Sequence, residues 1–241
     1  KSKIATAFVG QLQAIPPGKE DDRWWYRYRL IEGLGYVDRL DDVGGKPIVI
    51  DSLVHVLSDV NEVWINRSQA ALSISRLPYT GAVNVQLIAY EIGRLLSQMT
   101  NAYNTSPKAS IWKHTYSRVY LSFRPANAKE AAKRWGLLEQ VKRPGVTQNE
   151  NAVLELWDAS FPMFQAVLTG SAGAIPDSDV NGLKTWMTDN TPSNRSVVPG
   201  AQPLPAPGQG AAPAQTTNPP AGGGASGTND NAATNTPPTG G

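Results

Sequence analysis

From about Pro192 onward the chain loses the means to build a core. Pro, Gly, Ala, Thr, Asn and Gln dominate, no aromatic residue follows, and the last large aliphatic is Leu204. Such a segment buries too little apolar surface to offset its chain entropy, so residues 192–241 are expected to form a disordered, Pro/Gly-rich tail. Residues 1–191 are then the foldable part, a single domain that includes an N-terminal arm.

Within that part the signals are helical. Ser2 to Ile15 reads as amphipathic and stops at Pro16-Pro17-Gly18. Asp21 and Asp22 ahead of Trp24 to Ile31 predict a helix closed by Gly33 and Gly35, and Asp51 can cap one carrying Leu53, Val54, Leu57, Val60, Val63 and Trp64. The clearest helix is Val83 to Tyr103, where Val85, Ile88, Ile92, Leu95, Leu96, Met99 and Tyr103 share a face and Gly93 is an isolated interruption. Ser106-Pro107 predicts a capped start, and Asn127 with Glu130 resembles a capping box opening a helix through Leu138. Asn151 to Thr169 follows, with Pro162 expected to bend or split it, and Asp179 to Asp189 is the last. Only Pro47-Ile48-Val49-Ile50 reads as extended. Seven to eight helices make a mostly α domain.

Charge is distributed unevenly. The total is +2, but residues 108–143 hold nine bases against Glu130 and Glu139, a local +7, while residues 144–195 carry −4. Lys113, Arg118, Arg124, Lys129, Lys133, Arg134, Lys142 and Arg143 are therefore candidates for neutralising phosphates, since local acids are too few to pair them. Tyr116, Tyr120 and Trp135 are candidate stacking partners for single-stranded bases. Trp112, Tyr116 and Tyr120 recur every four residues, however, and a stripe at that spacing is more commonly core. The protein competitor for the cations is the acidic flank, Glu150, Glu155 and Asp158 included. A second aromatic and basic set, Trp24, Trp25, Tyr26, Arg27 and Tyr28, is the candidate subunit interface; its alternative is rings packed inward under Arg stems.

Enzyme chemistry is not expected. His55 and His114 stand 59 positions apart outside any ligand motif, and both read as structural. The pairs Asp21-Asp22 and Asp41-Asp42 suit caps and solvated turns better than a two-carboxylate site. There is no Cys, no P-loop and no nucleophile elbow, and no cofactor or metal is implied. The most hydrophobic stretch is broken by Glu91 and Arg94, so a membrane span is not expected. Lys1-Ser2-Lys3-Ile4 has no secretory leader pattern, and the missing Met implies a trimmed or processed start.

A compact helical domain with a basic-aromatic centre, an aromatic N-terminal edge and a long uncharged tail resembles, in general plan, the coat proteins and nucleoproteins of rod-shaped or filamentous RNA viruses. The resemblance implies a subunit that self-associates into a homopolymer along single-stranded RNA, with Arg and Lys neutralising phosphates and little base specificity. It also implies a place in the virion, after assembly in the host cytoplasm; without it, a cytoplasmic protein is expected. The alternatives are a helical protein–protein adaptor or phage structural component that binds no nucleic acid, and an enzyme with an unrecognised carboxylate site.

Overall fold

The computed structural model describes residues 2–18, 23–42, 44–125, 127, 136–143, 145–146, 149–170 and 173–206. These form a mostly α domain with nine helices and no strand among the described residues: α1 Ser2–Ala14, α2 Trp24–Leu34, α3 Ile48–Ser58, α4 Trp64–Ser75, α5 Val85–Thr105, α6 Ile111–Phe123, α7 Leu137–Gln140, α8 Glu150–Thr169 and α9 Asp177–Asp189. The expected tail from residue 207 onward, the acids Asp21 and Asp22, and the Glu130 half of the expected capping box lie outside the described residues.

The centre of the domain is a helix that periodicity cannot reveal. All ten residues from Asn66 to Ser75 of α4 are buried, because α2, α3, α5 and α6 all pack on it. A helix enclosed on every side has no solvent face, so no apolar stripe marks it. Its small residues allow close approach: a Cβ on Gly35 would lie within 3 Å of Ser73. Its hydroxyls bond to carbonyls, Ser73 to Ile31 O at 2.8 Å and Ser75 to Leu72 O at 2.8 Å, which removes the cost of burying them.

Other boundaries differ from the sequence expectation for local reasons. Ile48-Val49-Ile50 is the first turn of α3, not an extended lead-in, with Pro47 ahead of it where a missing N–H costs nothing. Asp51 therefore sits in the first turn, and α3 ends at Ser58 before Val60, Val63 and Trp64. Ser106 closes α5, its N–H bonding to Ala102 O, and α6 starts four residues beyond Pro107. Pro162 does not split α8, which runs unbroken for 20 residues. Burial of Val153, Leu156, Met163, Phe164 and Val167 on one face outweighs the lost hydrogen bond, and Asp158, whose carbonyl loses its donor, is exposed to water. Gly93 admits the ring of Trp186 from α9, whose Cζ3 would stand 3.0 Å from any Cβ there.

The domain also extends past its expected end at residue 191. Val197, Val198 and Leu204 are buried, Asn84 N–H donates to Val197 O at 2.8 Å, and Arg195 bonds the buried Glu91 carboxylate at 2.9 Å. Polar contacts add to these three side chains: Asn84 at the N-cap of α5 donates to Asn194 O and Ser196 O, and Arg195 lies over the Tyr90 ring of α5. Each such apolar side chain contributes about 1.5–3 kcal/mol when buried. Truncation after Ala206 is expected to leave the melting temperature unchanged, whereas truncation after Thr191 should lower it by several degrees, at about 2–4 °C per kcal/mol. Thermal denaturation of the two truncations checks the boundary.

Candidate nucleic-acid interface

Helix α6 has two chemically opposite faces. Trp112, Tyr116, Val119 and Phe123 are buried on the inner one, where Tyr116 meets Tyr103 and Phe164, and Phe123 meets Trp157 and Phe164, with ring centroids 5.5–6.4 Å apart. The aromatic stripe is core. This withdraws Tyr116 as a stacking partner: it is wholly buried, its hydroxyl is 2.9 Å from Thr100 Oγ1, and burial pushes its phenol well above the ordinary value. Tyr120 is half-buried, with its ring against Trp157 at 5.5 Å and Phe164 at 5.6 Å, and so is partly engaged in the same aromatic cluster.

The outer face carries Lys113, His114, Ser117, Arg118, Leu121 and, at the C-cap, Arg124. The whole helix contains no acid, and from Lys113 to Arg124 the strip runs about 16 Å at the helical rise. Ser117 bonds back to Lys113 O at 2.6 Å, so its hydroxyl does not compete for the cations. Among the described residues no ion pair joins Lys113, Arg118 or Arg124 to any carboxylate, Glu150, Glu155 and Asp158 of the acidic flank included.

Both edges of the strip are lined by other helices. On one edge the Arg118 guanidinium lies 5.8 Å from the Tyr28 ring centroid of α2 and reaches His114 Nε2 at 3.5 Å, with Tyr28 and His114 rings 6.4 Å apart. Partial burial, then the Arg118 charge, hold His114 below the usual imidazole value, so it is neutral at pH 7 and can accept from Arg118. Burial raises Tyr28, which stays protonated. On the other edge Lys113 Nζ covers Gly170, the left-handed residue (φ 70°) that closes α8, where the negative end of the helix dipole favours a cation. Arg124 lies over the Trp157 ring at 5.8 Å. Rings thus hold both arginines in place while leaving their charge unneutralised.

The fold collects only some of the sequence-predicted residues. Lys113, Arg118 and Arg124 share the strip; Lys142 and Arg143 stand past α7, which Gln140 ties to the end of α4 through Ser75 O and Leu77 O. Lys129, Lys133, Arg134 and Trp135 lie outside the described residues. His114 and Tyr28 join the site without a local signal to mark them, being 86 positions apart.

Of the expected subunit interface, Trp24, Trp25 and Tyr26 are exposed, but Arg27 is not available to a partner. It is 5% exposed, its Nε and Nη2 bond Glu62 Oε2, and its Nη1 donates to Leu12 O and Ile15 O at the end of α1. The chain needs that cation inside because three buried acceptors converge there.

Other chemistry is structurally engaged. Asp42 Oδ1 accepts from Gly44 and Lys46 N–H in a turn, and Asp41 pairs with Arg39 at 2.8 Å. Among the described residues no group of three or more His, Asp or Glu could hold a metal, and no helix is long and apolar enough to cross a membrane. A cavity of about 750 Å³ between α3, α5 and residues 202–206 mixes Asp51, His55, Asp59, Arg27 and Arg94 without a dominant sign of charge. No protein-family model, curated protein or solved structure matches this chain.

Proposed function

We propose that the protein is a structural subunit that self-associates and coats single-stranded nucleic acid, as the coat proteins and nucleoproteins of helical RNA viruses do, with the virion as its place of residence. The observation that supports this is the acid-free outer face of α6, where Lys113, Arg118 and Arg124 present charge that no carboxylate of the described residues neutralises. Single strands are held through backbone phosphates and ring contacts, so base specificity is expected to be low. The ring beside the strip is the half-exposed Tyr28 on α2, a helix that also carries the exposed Trp24 and Trp25.

The alternative, a protein–protein adaptor that binds no nucleic acid, is favoured by the same exposed rings on α2. Light scattering and electron microscopy with and without single-stranded RNA separate the two. A coat protein should form extended particles that lengthen with the RNA supplied; particles of fixed stoichiometry indifferent to RNA would support the adaptor.

His114 gives this reading a pH signature. A phosphate beside Arg118 stabilises the imidazolium, so affinity for single-stranded RNA should rise as the pH falls below about 6.5 toward the depressed value of His114. His114→Gln should remove the rise and leave affinity at pH 8 little changed. For the fold alone the sign is opposite: a lowered imidazole pKa means that the unfolded chain binds the proton first, so stability declines slightly over the same window. Binding titrations at a series of pH values on both proteins check this.

A further inference from the structure

Among the described residues seven large apolar or aromatic side chains remain exposed, and they fall in two places. Ile4, Trp24, Trp25, Tyr26 and Tyr36 lie on or beside the α1–α2 pair; Leu154 and Phe161 lie on α8. The two places differ in shape. Between α1 and α2 is a cleft of about 540 Å³ lined by Ile4, Phe8, Gly33, Tyr36 and Val37, where the Phe8 ring lies so close to Gly33 that a Cβ there would collide with it. On α8, Leu154 and Phe161 are seven residues apart, two turns along one side of the helix, and form a ridge with half-buried Trp157.

They also differ in charge. Arg29 rims the cleft, ion-paired through Nη1 to Glu32 at 2.7 Å yet still two-thirds exposed, and Arg76 lies over the Tyr36 ring. The ridge is flanked by exposed Glu155 and Asp158, neither of which has an ion-pair partner among the described residues. Finally, α2 borders one edge of the α6 strip, through Tyr28, and α8 the other, through Trp157 and Gly170.

From this we infer that the α8 ridge of one copy inserts into the α1–α2 cleft of the next, Glu155 and Asp158 meeting the exposed part of the Arg29 guanidinium. Unlike surfaces joined in this way make a heterologous contact, which propagates into an open array or ring instead of stopping at a dimer. Because the helices that carry the cleft and the ridge border the basic strip, each added copy repeats the strip along the array. The inference deepens the assembly half of the proposed function and does not depend on the nucleic-acid half.

The test uses the full chain, treated with nuclease, and two variants altered only at exposed positions: a cleft variant, Ile4→Ser with Tyr36→Ser, and a ridge variant, Leu154→Ser with Phe161→Ser. Sedimentation should show wild type growing in mass with concentration, and each variant alone associating at least about tenfold more weakly. Mixed one to one, the variants should form a complex of twice the monomer mass and nothing larger, since each retains one working surface. Charge reversal by Glu155→Lys with Asp158→Lys should weaken wild-type association without touching the apolar contacts, and covers the case of a serine variant that fails to fold. Wild type that stays monomeric, variants that associate like wild type, or a mixture that does not rescue would overturn the inference. Binding of an oligonucleotide short enough for one subunit, measured in parallel, reports on the α6 strip alone, so loss of assembly with binding intact leaves the nucleic-acid reading standing.

Discussion

Replacing Arg27 by Met should destabilise the domain by about 3–5 kcal/mol, a large share of a typical total of about 5–15 kcal/mol. The substitution leaves Glu62, wholly buried, without its counter-charge and strips a donor from the carbonyls of Leu12 and Ile15 at the end of α1. Glu62 would keep only Asn66 Nδ2 at 2.8 Å and Val63 N at 3.1 Å. The double replacement Arg27→Met with Glu62→Met should cost clearly less than the sum of the two single changes, because no unpaired charge then remains inside. Urea denaturation of the four proteins checks this; a cost below about 1 kcal/mol for Arg27→Met would show that the pair is not the clasp between α1, α2 and the segment leading into α4.

The second large effect is expected on binding. Lys113→Gln, Arg118→Gln and Arg124→Gln together remove three proposed phosphate contacts, each worth about 0.7 in the slope of log K against log salt for a single strand. The slope should flatten by about 2, and affinity near 0.1 M salt should fall about 100-fold. Stability should change little, since none of the three is ion-paired to a carboxylate among the described residues; the exceptions are Arg118 and Arg124, whose contacts with the Tyr28 and Trp157 rings each contribute about 0.5–1 kcal/mol. Lys142→Gln with Arg143→Gln, on the α7 side, is the companion substitution, and a smaller loss there would place the contact on α6. Retained affinity in the triple variant with loss in the companion would move it.

What the sequence made legible follows from what leaves a periodic trace. Helix α5 could be read because one side is core and the other is not, and the stripe of Trp112, Tyr116 and Tyr120 could be read as core from its spacing. Helix α4 left no trace because it is enclosed on all sides, and its small polar residues resemble a loop. By composition the segment 192–206 belongs to the tail, but Val197, Val198 and Leu204 are buried and the segment bonds to Asn84, the N-cap of α5, and to Glu91 within it, residues more than 100 positions away in sequence. The positive centre was visible as a charge count, yet the count cannot say which cations share a face. Three of them do, on α6, and Arg27 was drawn inside by acceptors that are distant in sequence. Tyr28 and His114 meet only through the packing of α2 and α6 over α4, so no local motif marks them.

The central claim is that the α6 strip meets phosphate. The most direct measurement is the affinity of nuclease-treated full-length protein for a short single-stranded RNA between about 50 and 200 mM salt, for wild type and for the Lys113, Arg118 and Arg124 triple variant. Linear salt dependence is expected in wild type, with a slope flatter by about 2 in the triple variant. Absence of binding at the lowest salt, or binding that ignores both salt and the substitutions, would contradict it.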